Sequence, residues 1–273
     1  MTPAPKPIIP SPEMTLYQRQ QCGQRFKDHT IKALNALMKG TGWKRNSAWV
    51  FKVEGDWYLT AFVTGGTTPD GLSNHLRVEM GIKPMAVDPI NWRAKGLHYN
   101  LGRPPSFRSN AAFKVPALPI AERQWSEGLT DVTKSSRMVF DSILSMADDA
   151  RRAVATKPFS QLVSDHEHAD RYAALKWASL ISEGHGTRAI EAIKLHYRHP
   201  DSVGDASSAV NDIVAAYQSV IDGTDAQGYR LAVTDIFGNP VSDGPILQPL
   251  KKVEAKGTSW ADRLKAALLR GST

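Results

Sequence analysis

One cysteine, Cys22, stands in 273 residues, so no intrachain disulfide can form and no cysteine cluster can hold a metal. That usage suits a reducing compartment. No run approaches the roughly 18 consecutive apolar residues that a membrane span requires. The chain opens Met1-Thr2-Pro3-Ala4-Pro5-Lys6-Pro7, where a secretory signal would need an apolar core. A cytoplasmic protein that does not associate with membranes is therefore expected. Familiar catalytic signatures are missing too: there is no His-Glu-x-x-His helix, no Gly-x-Ser-x-Gly elbow and no Gly-Lys-Ser/Thr phosphate loop. The remaining composition, 41% hydrophobic and 22% charged with 20 Gly and 17 Pro, excludes collagen-like and wholly disordered chains.

The net charge of +7 is unevenly laid out. Residues 1–160 carry 22 Lys and Arg against 13 Asp and Glu, a net of +9. Residues 161–245 carry 6 against 12, and residues 246–273 carry 6 against 2, nets of −6 and +4. A basic body, an acidic waist and a basic tail can attract one another or present the body to an acidic partner.

Prolines at positions 3, 5, 7, 10 and 12 make residues 1–13 an extended arm. A helix is expected from Met14 to Lys39, where Ile31, Leu34 and Met38 share a face and Gly40 and Gly42 stop it. A hairpin follows, with Trp49, Phe51 and Val53 alternating before a turn at Glu54-Gly55-Asp56 and a second strand from Trp57 to Thr64. Leu76, Val78, Met80 and Ile82 alternate with Arg77, Glu79 and Gly81 in a third strand. Further strands are expected at His98–Leu101 and, on an edge because of Pro116, at Ala111–Leu118. From Thr133 the period turns helical, with Phe140, Ile143, Leu144 and Ala147 on one stripe. Helices are then expected near Glu167–Glu183, Thr187–Tyr197 and Asp205–Ile221, the first two joined by Gly184-His185-Gly186.

The pattern predicts an α+β protein, with an N-terminal helix on a small antiparallel sheet in residues 14–160 and a helical subdomain in 161–222. A short strand or hairpin is expected in 223–245. A linker and a terminal amphipathic helix would fill 246–273.

Phe26-Lys27-Asp28, Thr41-Gly42-Trp43-Lys44-Arg45, Trp49-Val50-Phe51, Trp57-Tyr58-Leu59 and the strand Leu76–Ile82 follow one another, with Trp125 ahead of a later helix. Over residues 20–165 this order resembles an uncharacterised bacterial family, domain of unknown function 4304. The resemblance implies an α+β fold and a bacterial origin. It brings no catalytic residues with it.

Three groups of residues are candidate sites. The terminal helix places Trp260, Leu264 and Leu268 at i, i+4, i+8 on an otherwise basic segment that includes Arg263, a pattern suited to docking in a partner's groove. The stretch between Asp88 and Glu122 contains no acid, and there Arg93, Lys95, Tyr99, Arg103, Phe107, Arg108 and Lys114 combine cations with rings. Single-stranded or irregular nucleic acid uses that combination. Asp165-His166-Glu167-His168-Ala169-Asp170 is the densest group of metal-ligand types, and on a helix His166 and Asp170 would share a face. Solvated imidazoles and acids complementing a helix start are the structural alternative there. Gly65-Gly66-Thr67-Thr68 reads as a hairpin loop, because it lacks the ending of a phosphate-binding loop.

These features favour a non-enzymatic bacterial binding or adaptor protein. It would be an accessory subunit with a protein partner held by the terminal helix, and with no cofactor. The alternatives are a nucleic-acid-binding protein using residues 92–114 and a metal-dependent hydrolase using His166, His168 and Asp170.

Overall fold

Thr15 starts the first helix. Its hydroxyl accepts from the Gln18 amide at 3.3 Å while Gln18 Oε1 accepts from the Thr15 amide at 2.8 Å, a reciprocal cap that satisfies two otherwise orphaned donors. In the computed structural model, which describes residues 8–111, 113–197 and 206–223, this helix α1 runs Leu16–Met38. Cys22, Phe26, Thr30, Leu34 and Met38 recur every four residues and are buried along it.

The fold is α+β, with a five-stranded antiparallel sheet in chain order. Its strands are β1 Lys44–Asn46, β2 Trp49–Glu54, β3 Trp57–Thr67, β4 Asn74–Pro84 and β5 Leu118–Trp125. Asn46 pairs with Trp49, and Glu54 with Trp57, so both N-terminal hairpins close in two residues. Leu76, Val78, Met80 and Ile82 are fully buried, as their alternation requires.

Val78 pairs with Arg123, whose guanidinium reaches Ser142 and Ser145 on helix α4, Val132–Thr156. The alternating face of β4 is therefore the face under α4. On the same unit α1 packs against both β3 and α4. Gly23 makes that approach possible: a Cβ there would lie 2.3–2.6 Å from the Gly66 and Thr67 backbone. Gly65 has the same role one strand over, since its Cβ would meet His75 O at 2.4 Å. The glycine run read as a hairpin loop is thus part of β3, where helix and strand come together. Trp49 stacks on Phe62 with ring centroids 4.3 Å apart, and Lys83 Nζ sits 5.4 Å above the Tyr58 ring.

The helical elements are α2 Val87–Ala94, α3 Phe107–Asn110, α5 Phe159–Asp165, α6 Ala173–Ser182, α7 Gly186–His196 and α8 Ala206–Ile221. The chain divides into two compact units whose segments interleave. The first is formed by residues 8–83, 105–111 and 116–158, and the second by 84–104, 113–115, 159–197 and 206–223. In the second unit α2 packs on α6 and α8, and α7 on α6 and α8. Tyr217 OH donates to Asn91 Oδ1 at 3.3 Å, tying α8 to α2, and Trp177 meets Tyr217 edge-on at 5.8 Å. Burial pushes the Tyr217 phenol far above its usual range.

Three expected elements differ. His98–Leu101 is not a strand: His98–Asn100 is a 3-10 turn, with Leu101 N bonded to His98 O. The last strand begins at Leu118 rather than Ala111, because the preceding backbone is already committed. Val115 N donates to Asp88 Oδ1 at 2.8 Å and Phe113 O accepts from Trp92 Nε1 at 2.9 Å. The helix expected from Glu167 starts at Ala173, since His168 N bonds to His166 Nδ1 at 3.0 Å instead of continuing a helical ladder. The strand in 223–245 and the terminal helix lie outside the described residues, apart from Gly223.

Candidate functional site

The fold redistributes the charge asymmetry of the sequence and narrows it. Described residues of the first unit carry 17 Lys and Arg against 12 Asp and Glu, a net of +5; those of the second carry 8 against 8, a net of zero. Residues 84–104 and 113–115 bring four cations and one acid into a unit whose other helices are acidic, so the basic excursion is neutralised by the company it keeps.

Three cations of the first unit meet where α1 gives way to β1. A groove of about 520 Å³ lies there, and its polar lining is Asn35, Lys39, Lys44 and Arg45. Trp43, 5% exposed, lies beneath it. Arg45 is held on two sides: Nε donates to Asn35 Oδ1 at 2.9 Å and Nη1 to Ser47 O at 2.7 Å. Ser47 has φ +55°, the only positive φ outside glycine among the described residues. The two-residue turn imposes it, at a cost of about 1–2 kcal/mol for an L-residue, and so fixes the carbonyl that grips Arg45. The lysines are not needed to cap α1, because the Met38 carbonyl already accepts from Thr41 N at 3.1 Å and Thr41 Oγ1 at 2.7 Å. Among the described residues neither lysine nor Arg45 forms an ion pair.

A second groove of about 610 Å³ is lined by Arg123, Lys134, Arg137 and Asp141 among others. It lies at the start of α4, where Asp131 accepts from Lys134 N at 3.0 Å and Thr133 N at 2.8 Å. The Lys134 amide foremost, then that of Thr133, holds the Asp131 carboxyl below its ordinary range. Here an acid shares the lining, so the first groove is the more purely cationic.

The sequence-predicted sites fare differently. Phe107 and Arg108 belong to the first unit, whereas Arg93, Lys95, Tyr99, Arg103 and Lys114 belong to the second. Arg108 is 2% exposed and is a core residue, not a surface cation. Burial lowers the Lys95 ammonium below its usual range. Tyr99 and Arg103 are the exposed members. His166 and His168 have ring centroids 6.0 Å apart, His168 lies 3.7 Å from Glu167, and His166 packs edge-on to Tyr172. Because the helix begins later than expected, His166 and Asp170 do not share a helical face. Among the described residues no group of three metal-ligand side chains converges. Trp260, Arg263, Leu264 and Leu268 lie outside the described residues.

Sequence reading missed the groove at Lys39, Lys44 and Arg45, although Thr41-Gly42-Trp43-Lys44-Arg45 was already conspicuous. Only the turn at Ser47 reveals that Arg45 folds back toward Asn35 of α1. Among the described residues no helix is long and apolar enough to cross a membrane. No family model, curated protein or solved structure matches the chain.

Proposed function

We propose that this chain is a non-enzymatic binding protein, an accessory subunit that joins a protein partner to an anionic component of a larger assembly. The protein partner docks on the basic amphipathic segment carrying Trp260, Arg263, Leu264 and Leu268. The anionic component meets the first unit. The observation that carries this reading is the segregation of charge, +5 on the described part of the sheet-containing unit and zero on the helical one. An uncompensated field of one sign steers association with partners of the other. Open grooves lined by long cationic side chains suit an extended partner better than a small molecule, which needs enclosure.

Affinity purification from the source cell, with the full chain and with a chain lacking residues 246–273, tests the docking half. Loss of a stoichiometric protein partner on truncation is expected. Retention of every partner by the truncated chain overturns it.

A further inference from the structure

We infer that the surface running from Lys32 along the end of α1 to Lys44 and Arg45 binds the phosphate backbone of nucleic acid, without reading its sequence. This rests on the proposed anionic component and gives it a chemical identity. Lys32, Asn35 and Lys39 share one face of α1, and the two lysines are two helical turns apart, about 10 Å at 1.5 Å per residue. Lys44 and Arg45 continue the line across the groove. Both Lys32 and Lys39 are exposed, and among the described residues none of these four cations forms an ion pair. The one acid of α1, Asp28, is engaged by Lys27 at 3.4 Å and by Gln24.

A row of cations, as opposed to a single pocket, matches a ligand whose charges also come in a row. Two features distinguish its members. Arg45 is locked by Asn35 and the Ser47 carbonyl, so a guanidinium stands ready with little side-chain entropy left to lose on binding. The lysines supply mobile point charges that follow a repeating backbone. The aromatic residue of the groove, Trp43, is 5% exposed and offers no face for base stacking. Recognition here is therefore of phosphates alone, and a duplex, with its denser charge, binds at least as well as a single strand.

The test uses the full chain and a fluorescein-labelled 20-base-pair duplex of random sequence, with salt varied around 100 mM. A labelled 20-nucleotide single strand and labelled poly-glutamate serve as the other probes. Lys32→Gln, Lys39→Gln and Lys44→Gln are combined, since these exposed side chains can change without unsettling the hairpin, and thermal melting verifies folding. Expected are at least tenfold weaker duplex binding and a salt slope smaller by about 2 to 3, near 0.9 per lost phosphate contact. A control removing the same charge from the tail, Lys251→Gln, Lys252→Gln and Lys256→Gln, should cost less than threefold. Equal losses in both variants overturn the site. Poly-glutamate binding that depends on the three lysines, with no duplex binding, overturns the nucleic-acid identity and leaves the proposed function standing. Failure of every probe to bind the wild-type chain removes both.

Discussion

The two units solve the same problem with opposite accounts of charge. In the helical unit the cations and acids of the described residues balance at eight each, and apolar anchors such as Trp92 and Tyr217 are fully or nearly fully buried. In the sheet-containing unit the acids fall short of the cations, and three cations line an open groove at the end of α1. A basic stretch of sequence is therefore a poor guide to a basic surface. What counts is the charge of the elements that pack beside it.

Packing gives the widest test of this contrast. Gly23→Ala sets a methyl against the Gly66 and Thr67 backbone, which cannot yield, and should destabilise the first unit by about 3 kcal/mol or more. Gly186→Ala in the second unit meets Ile221 side-chain atoms at 2.9–3.2 Å and no backbone, so a smaller loss of about 1–2 kcal/mol is expected. Chemical denaturation of the two variants, followed by circular dichroism, measures both. Equal losses would show that the helical unit is packed as rigidly as the helix–sheet seam.

Arginines sharpen the charge half of the comparison. Arg108→Ala removes a side chain 2% exposed and should cost about 2–4 kcal/mol, whereas Arg103→Ala at an exposed position should stay within about 0.5 kcal/mol. Thermal melting of each variant measures both. Tyr217→Phe, which deletes the donor to Asn91 Oδ1, should cost about 1 kcal/mol of the helical unit.

The smallest effect is electrostatic. The hydrogen bond from Arg151 at 2.8 Å, aided by Lys52, holds the Glu54 carboxyl below its ordinary range. Its folded-state value is the depressed one, so the pair contributes stability above the unfolded value, and that contribution fades as pH falls through the lower folded value. Because both side chains are about two-fifths exposed, solvent screening keeps it below about 1 kcal/mol. Arg151→Gln should flatten the melting-temperature curve on the acid side of about pH 5 and leave its neutral arm only slightly lower.

Much of the fold was legible because its periodicities are local. Leu76, Val78, Met80 and Ile82 alternate and are fully buried; Phe140, Ile143 and Ala147 mark α4; Gly184 ends α6 where the helical hairpin was expected. Leu144 is the exception on the α4 stripe, 38% exposed. The missed helix α2 contains Pro89 in its first turn, where proline is tolerated, and a single Arg93 on an otherwise buried segment. Its anchors, Asn91 to Tyr217 and Asp88 to Val115, are distant in sequence and leave no local pattern. The site followed the same rule. Lys44 and Arg45 were visible as letters, but their meeting with Asn35 depends on a serine adopting a glycine-like turn.

The interleaving of the units also sets an order of events during synthesis. The chain passes between them five times, and α2 finds its partner Tyr217 only 126 residues after Asn91 has been made. As the chain leaves the ribosome, the helix carrying Trp92 must therefore wait, at roughly 5–20 residues per second, for about 6 to 25 seconds before Tyr217 exists. Strands β1–β4 have already emerged by then, and β5 and α4 follow within that interval, completing the first unit by residue 158. Vectorial synthesis thus favours the sheet-containing unit as the first to fold, with the helical unit closing behind it and the exposed α2 as the segment a chaperone would hold.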